Sequence, residues 1–158
     1  MSQSLKLTTV WLLIGTALFL AVQAFEHRAR QARFSFDSAQ GRIVLKRAPD
    51  GHFHWPGSVN GVAVEFLVDT GATSTALPRD LAERAGLTLE GPMRSSTAGG
   101  VVEGRIARAD LALQGGVRAD RLRVAVLPRL DAPLLGMDVI SKLRLVQSEG
   151  VLTLEVPR

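Results

Sequence analysis

The chain has 158 residues, 46% hydrophobic and 22% charged, with a formal charge of +4; this balance supplies a packed core and excludes a wholly disordered polymer. Cysteine is absent, which excludes disulfides, zinc-thiolate sites and a cysteine nucleophile. With 15 glycines and 5% aromatics, short strands and tight turns are favoured over a helical bundle, and one small domain with accessories over two domains.

The chain opens with a short N-terminal tail, residues 1–6, and then runs Leu7 to Phe25 without a charge. As a helix those 19 residues reach about 28 Å, close to the roughly 30 Å core of a bilayer. Two outcomes stay open for 7–25. Val22-Gln23-Ala24 offers small residues to a signal peptidase, whereas the length favours a retained single-pass anchor. Orientation is contested as well. Lys6 precedes the segment and Arg28, Arg30 and Arg33 follow it, which on a positive-inside count leaves the rest of the chain in the cytoplasm. The signal-like arrangement of a charged start and an apolar stretch argues for export, and export is the reading adopted.

Residues 26–50 carry many charges and few turn signals, and read as a tether with a short strand at Arg42 to Lys46. Asp50-Gly51 marks the start of a folded domain over 51–158. His52 to Val59 and Val62 to Val68 flank Asn60-Gly61, a pair suited to a two-residue hairpin turn because both residues tolerate positive φ. Leu77 to Gly86 predicts a short helix, with Pro78 early and Gly86 as its cap. Met93 to Thr97 and Val101 to Leu113 form a long hairpin. Gly115-Gly116 turns the chain, and Arg121 to Leu127 alternates with Leu122, Val124 and Val126 on one face. Leu134-Leu135-Gly136 is a short apolar strand, Met137 to Leu143 a helix, and Leu145-Val146 pairs with Val151 to Val156 around Glu149-Gly150. With no long helix after 51, an all-β, closed antiparallel barrel with one or two short helices is the expected fold.

Within that pattern the apolar strand ends on a carboxylate: Phe66-Leu67-Val68-Asp69-Thr70-Gly71-Ala72-Thr73-Ser74. The strand is expected to place Asp69 deep in the fold. Gly71 lets the backbone turn sharply and brings its amide to the carboxylate. The hydroxyls of Thr70 and Thr73 or Ser74 are positioned by sequence to orient it.

Phe66 to Ser74 resembles the active-site signature of retropepsin-like (clan AA) aspartic proteases, in which apolar residues precede Asp-Thr-Gly-Ala/Ser. Leu134, Leu135 and Gly136 resemble that family's psi-loop strand, which packs behind the catalytic turn. Thr97, Ala98, Gly99 and Gly100 fall where the family has its glycine-rich flap, an assignment resting on position and glycine content; no Tyr is present there. The resemblance covers about residues 52–158, and with the apolar segment it is similar to the bacterial membrane-anchored members. It implies a single-lobe barrel and endopeptidase activity with Asp69 catalytic. It also implies Thr70 near a two-fold axis, bonding between chains.

Aspartic protease chemistry uses two carboxylates that share a proton, one as general base on a water and one as general acid. Two charges about 3 Å apart repel by roughly 5 kcal/mol at an effective dielectric of 20, so the pair retains one proton. Only Asp69 is followed by Thr-Gly; Asp110, Asp120, Asp131 and Asp138 are not. The second carboxylate is therefore expected from Asp69 of another copy, in a homodimer with Val151 to Val156 as the interface strand.

His52 and His54 share a strand face but lack a third ligand, so no metal is expected, nor a cofactor. Ser74 has no recognisable His partner. Trp55 reads as a packing residue. Arg79, Arg94, Arg105, Arg118, Arg129 and Arg144 are scattered without interleaved aromatics, which reads as solvated surface and argues against nucleic acid. The expected function is hydrolysis of peptide bonds in envelope proteins, by a domain on the periplasmic side of a bacterial inner membrane. The alternative is a noncatalytic retropepsin-like module that dimerises or binds peptides there.

Overall fold

A computed structural model describes the backbone at residues 3–31, 33–97 and 100–156. It divides into two compact units, residues 1–33 and 34–158. The first is a helix, α1 (Gln3–Gln31). Its apolar stretch Leu7–Ala24 is exposed throughout, with Trp11, Leu12, Leu13 and Phe19 all on the surface. The Thr16 hydroxyl donates to the Leu12 carbonyl at 2.8 Å, so this polar group is satisfied within the helix. Length and composition meet the requirements of a membrane span and of a signal sequence alike.

The second unit begins inside the expected tether. Strands β1 (Phe34–Asp37) and β2 (Arg42–Lys46) form an antiparallel hairpin. Ile43 and Leu45 of β2 are fully buried in the main core with Leu152 and Leu154. The expected strand Arg42 to Lys46 is present as β2, but the stretch around it holds the end of α1 and a second strand rather than a plain tether. Each buried aliphatic side chain there contributes roughly 1.5–3 kcal/mol relative to exposure.

The chain continues through β3 (His54–Val59), β4 (Val62–Val68), β5 (Ala76–Pro78), α2 (Arg79–Arg84), β6 (Pro92–Thr97), β7 (Gly100–Leu113) and β8 (Arg118–Leu127). Then follow β9 (Leu134–Leu135), α3 (Met137–Ile140), β10 (Arg144–Ser148) and β11 (Val151–Glu155). The predicted turns form as their residues demand. Asn60 and Gly61 have φ of 47° and 83°, and Glu149 and Gly150 have φ of 48° and 75°. The helices are shorter than expected: Pro78 ends β5 and precedes α2, and α3 stops at Ile140.

Seven strands form one sheet in the order β3-β4-β9-β5-β8-β7-β6, and a β3–β7 pairing closes it into a barrel, as expected. Gly57 sits at the closure; a Cβ there would lie 2.7 Å from the Ala112 carbonyl oxygen. The barrel is not wholly antiparallel. β4 pairs parallel with β9, and β5 parallel with β8, because the chain crosses itself after β4 and returns through β9. Strand β6 lies outside the ring.

A second sheet, in the order β1-β2-β11-β10, joins the N- and C-terminal hairpins of this unit. β11 is one of its two interior strands, paired with β2 and β10. The expected use of residues 151–156 as an interface edge is therefore closed: both of its hydrogen-bonding edges are taken within the chain.

Candidate active site

The turn 69–75 lies where the chain crosses itself. β4 delivers Asp69, whose own N–H donates to the Leu135 carbonyl at 3.0 Å, while the Leu67 N–H donates to Pro133 at 2.8 Å. Leu134 and Leu135 thus run alongside the strand that carries the carboxylate. Leu135 is fully buried; Leu134 is half-buried.

Asp69 is half-buried rather than deep, and Thr70 and Gly71 are exposed. The Gly71 N–H donates to Asp69 Oδ1 at 2.9 Å, which fixes the carboxylate against the turn. Gly71 does not supply a left-handed conformation here. A Cβ would stand 3.2 Å from that same Oδ1, so the missing side chain leaves the carboxylate its place. The expected hydroxyl donors take no such part. Among the described residues, Thr70, Thr73 and Ser74 make no hydrogen bond to Asp69, and all three are exposed.

The back of the turn is tightly held. The Met137 N–H donates to the Ala72 carbonyl at 2.8 Å, and the Asp138 N–H to the Thr73 carbonyl at 3.2 Å. Gly136 approaches so closely that a Cβ would lie 2.4 Å from the Ser74 carbonyl carbon. Glycine is needed there for space, since its φ of −92° suits any residue.

Two residues outside the expected set complete this support. Thr75 is fully buried, and its hydroxyl donates to Asp138 Oδ1 at 2.8 Å. Its N–H donates to Asp138 Oδ2 at 2.9 Å, and its hydroxyl oxygen accepts the Gly136 N–H at 3.2 Å. Asp138 thereby joins α3 to the turn through both carboxylate oxygens. One signal was available: a Thr directly after the turn run, and an Asp two residues after Leu-Leu-Gly. Nothing in sequence alone joins positions 63 apart.

The hairpin assigned as flap is present. Thr97 ends β6, Gly100 begins β7 with φ 109°, and the two are paired. Ala98 and Gly99 lie outside the described residues. His54 Nε2 is 2.7 Å from Asp50 Oδ2, and the His52 N–H donates to Asp50 Oδ1 at 3.0 Å. That N–H first, and then His54, hold the Asp50 carboxyl below its usual range. Among the described residues, no group of three or more His, Asp or Glu is placed to hold a metal.

A model of the aspartyl protease family matches residues 55–139, which holds Asp69, Thr75, Gly136 and Asp138. The chain is similar to an uncharacterized protein of Rickettsia prowazekii, 29% identical over 115 residues, covering 70% of this chain and 49% of that protein. It spans about half the length of that relative. It is also similar to an uncharacterized protein of Sinorhizobium sp, 29% identical over 167 residues, covering 92% of this chain and 70% of the relative. Among solved structures it is similar to a retropepsin-like aspartic protease from Rickettsia conorii, with a TM-score of 0.58 and 24% identity, over 73% of this chain and 90% of that one. The barrel and its crossing turn are thus a retropepsin-like fold.

Proposed function

The chain belongs to the aspartyl protease family, and from that premise we propose that it is an endopeptidase whose active site forms between two copies, each contributing Asp69. The observation that carries the reading is the Asp69 turn. Its carboxylate is oriented by the Gly71 amide and stands half-exposed on a surface turn, with no second carboxylate bonded to it among the described residues.

In the dimer the two carboxylates hold one proton between them. The ionised one takes a proton from a water, whose oxygen attacks the peptide carbonyl carbon. The protonated one gives its proton to the carbonyl oxygen, forming a tetrahedral diol. Collapse of the diol breaks the C–N bond: the departing nitrogen receives the proton of the protonated carboxyl, and one diol hydroxyl gives its proton to the ionised carboxylate, so the pair again holds one proton. A fixed carboxylate suits this role, because misplacement of the base by even 1 Å costs rate heavily.

α1 is read here as a single-pass anchor in a bacterial inner membrane, with the protease domain in the periplasm and envelope proteins as substrates. The noncatalytic alternative, a dimerising or peptide-binding module, has no use for an oriented and accessible carboxylate.

The test is to incubate the purified full chain with a peptide library from acid to neutral pH. Truncation at residue 50 is avoided, because it removes the buried Ile43 and Leu45. The wild-type chain is expected to cleave, and Asp69→Asn to lose at least about 10²–10⁴-fold in rate while keeping its fold. Undiminished cleavage by Asp69→Asn, or none by the wild type with peptide still bound, contradicts the endopeptidase reading.

A further inference from the structure

A second polar site lies at the far end of the strand that carries Asp69. β4 spans seven residues, Val62–Val68, between the Asn60-Gly61 turn and Asp69, which is about 23 Å at roughly 3.3 Å per residue. Beside that turn is a cavity of about 310 Å³, lined chiefly by Asn60, Thr88, Glu90, Arg108, Asp110 and Arg121. We propose that it binds a small zwitterion with a primary ammonium and a carboxylate, about the size of a dipeptide. Arg121 takes the carboxylate and Asp110 the ammonium. No residue of the turn 69–75 lines the cavity, and the proposal stands apart from the shared-site reading.

Charge is the first ground. The lining carries two cations and two anions. Arg108 and Glu90 answer each other at 3.3 Å. Arg121 and Asp110 do not. No ion pair joins their side chains, and among the described residues the Arg121 guanidinium and Asp110 Oδ2 have no hydrogen-bond partner. A lone anion at Arg121 would share the cavity with the Asp110 carboxylate, and a lone cation at Asp110 would share it with the guanidinium. A ligand with both charges satisfies both, and a guanidinium takes a carboxylate through two parallel N–H bonds.

The second ground is that both groups are set in place. They meet at a bulge between Ala109 and Leu111, where β7 and β8 shift register, and bulges re-aim side chains. The Asn60 N–H donates to the Asp110 carbonyl at 2.9 Å, and Asn60 Oδ1 accepts the Asp110 N–H at 2.9 Å. Asn60 Nδ2 is itself held, donating to the Ala85 carbonyl at 3.1 Å. Asp110 Oδ1 accepts the Arg121 N–H at 2.7 Å, which leaves Oδ2 for a ligand.

The third ground is the backbone of Arg121. Its φ of 48° is left-handed, a conformation in which Asn and Asp are far more at ease than a long side chain. Asn60 and Glu149 share it, but each stands in a tight turn directly before a glycine. Arg121 stands inside β8. Such a cost is characteristic of a group held for binding. The volume fits as well: it equals about ten waters at roughly 30 Å³ each, room for a dipeptide.

The test is to titrate the full chain in detergent micelles with alanyl-alanine and follow the amide resonances of Asp110 and Arg121. Saturable shifts are expected. N-acetyl-alanyl-alanine and alanyl-alanine amide each lack one charge and should bind at least about tenfold more weakly. L-alanine separates two sources of the same chemistry. Weaker binding than the dipeptide supports a peptide ligand, and equal binding supports a free amino acid at the same two charges. Asp110→Asn keeps an acceptor for the Arg121 N–H and should lose about tenfold in affinity or more. Arg121→Asn should lose as much while raising the urea midpoint, because asparagine suits the left-handed backbone. Absence of saturable shifts, equal binding of either singly charged analogue, or undiminished binding by both variants overturns the site. So does an Arg121→Asn chain less stable than wild type, since the arginine would then serve the fold.

Discussion

The turn 69–75 and the hairpin of β6 and β7 are built on opposite terms. The turn is clamped from three sides: β9 along its strand, α3 behind it, and the Thr75–Asp138 bonds through its interior. The hairpin is packed on one face, where Met93 and Val102 meet a small cluster of Ala76, Ala125 and Leu127. The other face carries an exposed ion pair, Arg94 to Glu103 at 3.4 Å, which contributes little. By Val101 the side chain is 68% exposed. The fold thus spends its constraint on the Asp69 turn and little on the outer face of the arm beyond the barrel.

Substitutions sharpen or break that contrast. The largest effect is expected at Gly136. An alanine Cβ would meet the Ser74 backbone at 2.4 Å, where neither side has a flexible atom to yield. Gly136→Ala should therefore reach the upper end of overpacking costs, about 3 kcal/mol, in urea unfolding, with cleavage falling alongside. Thr75→Val comes next. It keeps shape but strips Asp138 Oδ1 and the Gly136 N–H of their hydroxyl partner, at a cost of roughly 1–3 kcal/mol and a lower kcat. The smallest effect belongs to the hairpin: Val101→Ser should change stability by less than about 0.5 kcal/mol and act on KM alone. A Val101→Ser loss as large as that of Thr75→Val would erase the contrast.

The same contrast governs what was legible beforehand. The turns at Asn60-Gly61 and Glu149-Gly150 are written locally, because positive φ is a single-residue demand. So is the bond from the Gly71 N–H to Asp69, which joins residues two apart. Strand β2 was legible as the short strand Arg42 to Lys46, but its partner β1 was not, because Phe34-Ser35-Phe36-Asp37 is only four residues long and sits among charges. What makes β2 a core strand is β11, over 100 residues away, where Arg42 meets Glu155 at 3.1 Å. Asp138 was hidden for the same reason. In sequence it reads as an ordinary acid in the first turn of a helix, and only the chain crossing brings it beneath Thr75. The parallel pairings follow from that crossing too, which no periodicity encodes.

The central claim is that one site holds two Asp69 carboxylates from two chains. Mixing tests it most directly. Wild-type and Asp69→Asn chains are combined in equal amounts at fixed total concentration, left to exchange partners, and assayed for cleavage. Random pairing leaves about one quarter of the dimers with both carboxylates, so the account predicts about one quarter of the wild-type rate. A rate of about one half, the sum of chains acting alone, would contradict it.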